Sequence, residues 1–452
     1  MRALIAFLLL VSAIPAGEPC RVNVIDKDNR WPVPLVELQT TGGQRFVSDN
    51  AGAIAIDAPD LMNRETWFTV VGHGYDVKAD GFGYRGVKLT PVPGKTIAVE
   101  VTRTNIAKRI GRLTGGGLFA EAQKCGDEKD WIDSPIVGCD SVQTATLGNR
   151  RFWLWGDTTL AGYPLGIFDA SAATTALQPW TKFEPPLKPK YDYFTNAKGK
   201  PRGVAKMPGS GPTWIFGMAV VPDAMGTIQL VGTYMKVRNH LEVYEFGHCI
   251  WSEAKAEFEK SKVIWSKLKE GDKPPPLPQG HPVPWSDAEG KQWLLFGNPL
   301  PNLQCPATLD GWQDPKQWKV LKPQAELLDA DGKKVVPHSG SVAWHPWRKK
   351  WVTVFMEKFG KPSAFGELWY AESDSPLGPW GVTVKVLTHA NYTFYNPRVH
   401  AEFASKDSPI LLFEGTYTAE FAKDPPPTPR HNYNQILYRL DLDDPRLAKA
   451  KK

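Results

Sequence analysis

The stretch that decides the fold is residues 138–159, GCDSVQTATLGNRRFWLWGDTT. Its first half is rich in β-branched residues, its second half is aromatic, and the Gly148-Asn149 pair between them is typical of a tight turn, so the stretch predicts a β-hairpin. Asp140 opens the first strand and Asp157 closes the second. Because a hairpin returns to the edge where it began and adjacent strands lie about 4.8 Å apart, we expect both carboxylates on one rim.

Two carboxylates on one rim suit general acid, base or nucleophilic chemistry at a glycosidic bond. A second interpretation of the same residues is structural. Gly-Asp-Thr, which contains Asp157, is also an ordinary turn sequence, and Asp caps turns well. The hairpin alone leaves both interpretations open.

The composition indicates a soluble β-rich protein. The chain has 452 residues, more than one hydrophobic core usually supports, with 42% hydrophobic and 23% charged residues. Its 18 Trp, 40 Gly and 40 Pro favour an all-β fold with many turns. The net charge of +6 is modest and the basic residues are scattered, so we expect no nucleic-acid partner.

Residues 1–16, MRALIAFLLLVSAIPA, are typical of a secretory signal peptide. No long apolar run follows, so we expect no membrane insertion after the signal is removed and a secreted or periplasmic location. No Cys or His spacing indicates a metal site, and we expect no cofactor.

The five cysteines of an exported chain permit two disulfides. Cys125 and Cys139 bracket a short polar loop and are the first expected pair, and Cys249 and Cys305 are the second. Cys20 would be left over.

After the signal, the chain divides into a domain at 17–105, a Gly-bearing linker at 106–134, a large domain at 135–445 and a basic tail at 446–452. The first domain shows seven short strands separated by turn sequences such as DKDN and PVPG, which predicts a small β-sandwich. Residues 24–57 resemble the transthyretin-like, carboxypeptidase-regulatory-like sandwiches, which implies an accessory role.

The large domain repeats one pattern five times, at a period of about fifty residues. Each unit has an inner strand, a turn, an apolar second strand, and a third strand followed by a Trp-bearing turn. Such repeats predict a five-bladed β-propeller with the opening hairpin in its first blade. The predicted fold is all-β: a small N-terminal β-sandwich followed by this propeller.

In a propeller, the starts of the inner strands and the ends of the second strands meet near the axis. The candidate catalytic residues at such positions are Asp140, Asp157, Glu357 and Glu414. The candidate substrate-binding residues are polar groups at the same positions and aromatic rings on which sugars stack: His281, His338, Asn396, Arg398, Trp155, Tyr163, Tyr395 and Tyr417.

The five-blade pattern, with SDSPLGPW at 373–380, resembles the five-bladed β-propeller glycoside hydrolases. The opening hairpin is similar to that of a propeller family that includes endo-D-arabinanases, which implies that Asp140 and Asp157 are the catalytic carboxylates. Ser141 stands where that family tends to have an apolar residue and Gly, so the substrate need not be an arabinan.

The sequence therefore predicts an exported glycoside hydrolase that cleaves a polysaccharide or oligosaccharide by a two-carboxylate mechanism. One alternative is a propeller that binds glycans without cleaving them. Another is a polysaccharide lyase in which a Tyr or His is the base and Arg398 neutralises a uronate. The sugar, the linkage, endo or exo action and the stereochemical course stay open.

Overall fold

The N-terminal part of the chain forms two four-stranded sheets. The structure is a computed structural model that describes residues 17–179, 182–238, 241–390, 392–423 and 425–451, so the predicted signal at 1–16 lies outside the described residues. The sheets have the strand orders β4-β1-β8-β6 and β3-β2-β5-β7 and share one apolar core, as the sandwich prediction requires. Numbered along the chain, the strands are β1 (Cys20–Asp26), β2 (Glu37–Thr40), β3 (Arg45–Val47), β4 (Ala53–Ile56), β5 (Thr66–Val71), β6 (Tyr75–Asp76), β7 (Gly86–Leu89) and β8 (Thr96–Arg103).

Five further four-stranded antiparallel sheets follow one another along the chain, which confirms the five-bladed propeller. Blades 1 and 2 consist of β11 (Gln143–Leu147), β12 (Arg150–Trp155), β15 (Ser171–Ala176) and β16 (Asp192–Tyr193), then β17 (Thr213–Pro222), β18 (Ile228–Arg238), β19 (Glu242–Ser252) and β20 (Glu257–Ser266). Blades 3 and 4 consist of β21 (Val283–Ser286), β22 (Gln292–Gly297), β23 (Pro301–Pro306) and β24 (Lys319–Val320), then β27 (Pro337–His345), β28 (Lys350–Glu357), β29 (Leu368–Ser373) and β30 (Val384–Leu387). Blade 5 contains β31 (Thr393–Val399), β32 (Ile410–Thr418) and β33 (Asn434–Asp441).

The fourth strand of blade 5 comes from before blade 1. This strand, β9 (Lys108–Arg112), pairs antiparallel with β33, so the start of the propeller closes its last blade. The linker predicted at 106–134 is therefore wrong for these five residues. The sequence KRIGR has no clear alternation, but its backbone satisfies the open edge of β33.

Smaller elements surround the blades. A three-stranded sheet joins β10 (Ile136–Cys139), β13 (Thr158–Leu160) and β14 (Tyr163–Ile167), and a short ribbon pairs β25 (Leu327–Leu328) with β26 (Lys334–Val335). The helices are α1 (Ala120–Lys124) and α2 (Leu309–Gln313), with 3-10 turns at Pro59–Leu61, Pro315–Gln317, Ala401–Phe403 and Pro445–Lys451. Within the described ranges, no helix has the length and apolar character needed to cross a membrane.

Hydrogen bonds join each blade to the next close to the propeller axis. Each is made by a residue at or next to an inner strand, and together they link all five blades into a ring. The donors and acceptors are Met218 N to Gln143 Oε1 (3.4 Å), Gly217 N to Gly280 O (3.1 Å), Gly340 N to Asn298 Oδ1 (2.9 Å), Val399 N to Ser341 Oγ (2.7 Å) and Ser141 N to Thr416 Oγ1 (3.0 Å).

The disulfide prediction is wrong, since all five cysteines are free thiols. Cys139, Cys249 and Cys305 are fully buried, and each packs into a different apolar cluster. The thiol of Cys249 instead donates to the carbonyl oxygen of Gly232 at 3.2 Å. Burial in separate clusters keeps these thiols from pairing.

Arg109 of β9 ties the sandwich to the propeller. Its side chain is 2% exposed, and its guanidinium donates to the carbonyl oxygen of Pro34 in the sandwich and to the hydroxyl of Tyr438 on β33, both at 3.0 Å. It also donates to the carbonyl oxygen of His73.

We predict that Arg109→Ala lowers the free energy of unfolding by on the order of 3 kcal/mol, because it leaves several buried acceptors unpaired. Urea unfolding followed by tryptophan fluorescence measures the change. Arg64→Ala, at an exposed sandwich position, is the matched control and should change stability by less than about 0.5 kcal/mol. Equal effects of the two substitutions would contradict the role of Arg109.

Candidate functional site

The opening hairpin brings the two aspartates together as predicted. Strands β11 and β12 pair so that Gln143 lies opposite Leu154, and Gly148 takes a φ of 60° in the turn. Beyond the paired strands, Asp140 N donates to Asp157 O at 3.2 Å. The backbones of Asp140 and Asp157 therefore meet at one edge of the hairpin.

Gly156 allows this close approach. Its amide donates to Asp140 O at 2.9 Å, and a Cβ at this position would lie 2.2 Å from Asp140 Oδ1. Any side chain here would therefore displace the Asp140 carboxylate. The glycine of the Gly-Asp-Thr sequence thus has a steric role beside the aspartate that follows it.

A cavity of about 180 Å³ opens beside Asp140, and we call it the aspartate cavity. Its walls are largely aromatic, and Ser141 and Asn396 add polar groups. The aromatic lining residues are Trp155, Trp214, Phe216, Tyr395 and Phe421. Blades 1, 2 and 5 contribute these side chains, so residues far apart in the sequence meet here.

Irregular backbone within or just before the inner strands shapes this cavity. Ser141, Gly217 and Asn396 have left-handed φ values of 46°, 59° and 49°, and the pairing register shifts beside the latter two. Such bulges redirect side chains that a regular strand would point elsewhere. Asn396 Nδ2 donates to Ser141 Oγ at 2.7 Å, which joins blade 5 to blade 1 at the cavity wall.

Asp140 has an unusual carboxyl environment. Burial raises its pKa to about 7, and the charge of Asp157 adds to the rise. The hydroxyl of Tyr395 donates to Asp140 Oδ2 at 2.7 Å, and Tyr433 also hydrogen-bonds the carboxylate. Both hydrogen bonds lower the pKa of Asp140 and so oppose the effect of burial. Near neutral pH, Asp140 therefore exists in both protonation states.

Asp157 accepts a hydrogen bond from the indole N–H of Trp214, at 2.9 Å from Nε1 to Oδ1. Burial also raises the pKa of Asp157, and the charges of Glu420 and Asp169 raise it further. Across the described ranges, no Lys, Arg or His side chain forms an ion pair with Asp140 or Asp157. Within the described part of the chain, the side chains that donate to the two carboxylates are Tyr395, Tyr433 and Trp214.

The other predicted residues divide by location. Trp155 and Asn396 line the aspartate cavity with Asp140, whereas Asp157 is not one of its lining residues and is joined to it through the lining residue Trp214. Tyr163 is 65% exposed on β14, outside that lining. Glu357 ends β28 as predicted, but it accepts a hydrogen bond from Trp369 Nε1 at 2.9 Å and does not line the cavity. His338 is exposed and packs against Phe365.

Glu414 requires a correction. It was predicted at the end of a strand, but β32 continues to Thr418 and Glu414 is fully buried. The strand continues because Gly415 leaves room for the ring of Phe394, which would lie 2.5 Å from an added Cβ. His400 Nε2 lies 2.8 Å from Glu414 Oε1, so the carboxylate is part of an interior network and does not face the cavity.

Arg398 and His281 belong to the same network. The Arg398 guanidinium donates to Glu402 Oε1 at 3.0 Å and lies 2.7 Å from His400 Nδ1. Burial, with the nearby charge of Arg398, lowers the pKa of His281 to about 3. Neither residue lines the aspartate cavity, so the predicted substrate-binding positions of both are corrected.

The prediction that Tyr417 binds substrate is also corrected by its position. Its ring stacks on Tyr392 at 4.2 Å, and its hydroxyl lies 3.1 Å from His73 Nδ1 of the sandwich. It lines a cavity of about 110 Å³ between sandwich and propeller. The ring is only 2% exposed, so it does not offer a stacking face at the aspartate cavity.

Sequence reasoning missed Trp214, Tyr433, Glu420 and Phe421. Trp214 lies two residues before Phe216 on one strand, so strand alternation could have found it. The others lie in or just after the segment between β32 and β33, whose path no periodicity predicts. Among the described residues, no three or more His, Cys, Asp and Glu side chains are grouped to hold a metal ion.

No protein-family model matches the chain, and no curated protein is similar to it in sequence. Solved structures are similar at low identity. An exo-1,5-α-L-arabinanase from a bovine ruminal metagenomic library is 9% identical with a TM-score of 0.40 over 68% of this chain and 94% of that one. The α-L-arabinanase of Cellvibrio cellulosa is 11% identical, with a TM-score of 0.38 over 67% and 91%. A GH43_1 enzyme of Xanthomonas citri, solved with xylose, is 10% identical, with a TM-score of 0.38 over 67% and 86%.

No family match assigns a role to any residue of this chain.

The raised pKa of Asp140 predicts a pH-dependent stability. Its folded pKa of about 7 exceeds the unfolded value of about 3.9, so the folded state holds the proton more tightly. The contribution of Asp140 to stability is therefore lost as pH rises from about 4 to 7. Asp140→Asn removes this penalty and should stabilise the protein by on the order of 2 kcal/mol at pH 8, with little effect at pH 4.

Urea unfolding of both proteins at pH 4 and pH 8 measures this difference. Asp192→Asn, at an exposed position of blade 1, is the control and should leave the pH dependence unchanged. A stability difference between wild type and Asp140→Asn that is the same at pH 4 and pH 8 would contradict the environment described for Asp140.

Proposed function

We propose that this protein is a glycoside hydrolase that cleaves a polysaccharide at the aspartate cavity. One observation supports this most directly: two neighbouring carboxyl groups lack a cationic partner among the described residues, and one has a pKa of about 7 beside an aromatic cavity. A carboxyl group that is partly protonated near neutral pH suits a general acid. The second carboxylate can then complete the pair that glycosidic cleavage uses.

Asp140 is the proton donor in this proposal. Its carboxyl proton passes to the glycosidic oxygen as the bond between that oxygen and the anomeric carbon breaks, and the bonding electrons leave with the oxygen. Asp157 either activates the water that attacks the anomeric carbon or attacks that carbon itself and is released by water. The hydroxyl of Tyr395 holds Asp140 in place during the transfer.

The cavity walls suit a sugar ring. Trp214, Phe216 and Phe421 offer aromatic surfaces for the C–H faces of a sugar, and Asn396 and Ser141 offer hydrogen-bonding groups for its hydroxyls. Phe421 is 65% exposed, so its ring is accessible to a chain that extends beyond the cavity.

The two alternatives have less support. A lyase would need Arg398 to neutralise a uronate, but its guanidinium is engaged by Glu402. A propeller that only binds glycans would have no use for carboxylates held in a desolvated position without a cation, where ionisation costs stability.

We also propose that the mature protein is exported. The support is the charged residue, apolar core and small residues of 1–16. N-terminal sequencing of the protein recovered outside the cytoplasm tests this, since recovery only in the cytoplasm with residues 1–16 retained would contradict it.

We predict that Asp157→Asn lowers the turnover number about 10²–10⁴-fold, because the amide cannot act as a base or nucleophile. A panel of arabinan, xylan, galactan, a uronic polysaccharide and a sulfated one is assayed for new reducing ends and for ultraviolet absorbance. Asp192→Asn is the matched control and should keep wild-type activity. An absorbing product would indicate a lyase, and binding without any product would indicate a glycan-binding propeller.

We further predict that Tyr395→Phe moves the alkaline limb of the pH–activity profile to higher pH. The hydroxyl stabilises the ionised form of Asp140, so its removal raises the pKa of the proton donor above its wild-type value of about 7. The profile of kcat/KM against pH measures the shift. An alkaline limb that stays in place or moves to lower pH would show that Asp140 does not donate the proton.

A further inference from the structure

A second and larger cavity, of about 350 Å³, lies beside blade 1, and we call it the side cavity. One wall is the segment that leads from β9 to β10, and the other is the chain at and just before β16. It shares no lining residue with the aspartate cavity. The proposed reaction therefore leaves it unused.

Three aromatic rings line the side cavity in fixed positions: Trp131, Tyr191 and Tyr193. Trp131 packs edge-on against Phe119 at 4.9 Å, and its indole N–H donates to Asp133 Oδ1 at 3.2 Å. The rings of Tyr191 and Tyr193 are 5.8 Å apart. Rings held in this way present apolar faces without a further loss of side-chain entropy on binding.

The rim carries two charged groups of opposite sign, Lys190 and Asp130. Both side chains are exposed, and neither forms an ion pair or hydrogen bond within the described part of the chain. The carboxylate of Asp133, by contrast, already accepts bonds from the amides of Gly117 and Leu118. Lys190 and Asp130 are thus available as a donor and an acceptor for a ligand.

These groups select for a neutral, hydroxylated ligand. The two aspartates would repel an anion, and Lys190 would repel a cation. A sugar ring fits both features, since its C–H face packs on aromatic rings and its hydroxyls both donate and accept hydrogen bonds.

Trp155 connects the two cavities. It lines the aspartate cavity, and its ring lies 5.1 Å from Tyr191 and 5.8 Å from Tyr193 in the side cavity. Along the chain, Ser134 of the side cavity precedes Asp140 by six residues, a span of about 20 Å in extended backbone. The two cavities therefore lie close enough for one polysaccharide chain to span the distance between them.

We propose that the side cavity is an accessory binding site for a neutral segment of the polysaccharide. The ligand class rests on the function proposed above. Binding here holds a long chain close to the aspartate cavity without taking part in bond cleavage.

The test measures binding and cleavage separately. Affinity electrophoresis in gels containing arabinan, xylan or galactan measures binding of the full chain carrying Asp157→Asn, which blocks cleavage. Adding Trp131→Ala to this variant should weaken the affinity with which the polysaccharide in the gel retains the protein about tenfold. Lys190→Glu should weaken this retention as well. Because Lys190 is exposed on the rim, the substitution does not change the packing of the core.

Cleavage is measured in chains that keep Asp157. Trp131→Ala should slow hydrolysis of the long polysaccharide and leave hydrolysis of its trisaccharide unchanged. Trp344→Ala, a half-exposed tryptophan that lines neither cavity, is the matched control and should change neither measurement.

The outcomes separate the two proposals. If neither Trp131→Ala nor Lys190→Glu changes the retention, the accessory site is overturned, whatever the catalytic result. If both substitutions weaken the retention but the protein cleaves none of the glycans, the accessory site is supported and the hydrolase proposal is overturned. Absence of retention by every neutral polysaccharide also overturns the accessory site.

Discussion

The pairing of β9 with β33 is the constraint on which the propeller depends. Without it, blade 5 would have three strands and β33 would expose a row of unpaired backbone groups. Because β9 directly follows the sandwich and the first blade begins afterwards, this pairing fixes where the ring of blades starts and ends. It also places the sandwich against the propeller, through Arg109 and through Asn50, whose side chain bonds the backbone of Arg112 in both directions.

The closure of the ring of blades by β9 then determines the geometry of the site. Blades 5 and 1 are neighbours only because the ring is closed, and the contacts of Ser141 with Thr416 and Asn396 cross that junction. Tyr395 reaches Asp140 across the same junction. The hydrogen bond by which Tyr395 lowers the pKa of Asp140 therefore depends on the closed ring, although the two aspartates themselves come from one hairpin.

Local patterns predicted what depends on neighbours in sequence. The hairpin, the five repeats and the shared edge of Asp140 and Asp157 follow from alternation and turn chemistry, and the structure has all three, although the paired strands of the hairpin span residues 143–155 and both aspartates lie just outside them. The failures depend on distant contacts. Glu414 seemed to end a strand because the pairing of residues 415–418 with β31 and β33 is made by distant parts of the chain, and β9 looked like a linker because its partner lies over 300 residues away.

The carboxylates of the propeller form two sets, and the contrast indicates where its chemistry lies. Glu372 pairs with Arg348 at 2.9 Å, Glu367 with Lys385 at 2.7 Å and Glu402 with Arg398 at 3.0 Å. Such a partner offsets part of the desolvation cost of burying a carboxylate. Among the described residues, the side chains that donate to Asp140 and Asp157 are tyrosines and a tryptophan, which position a carboxylate without neutralising it. The propeller supplies Arg or Lys to Glu372, Glu367 and Glu402 but not to Asp140, whose pKa burial raises to about 7, and a carboxyl group that titrates near neutral pH is what the proposed cleavage requires of its acid.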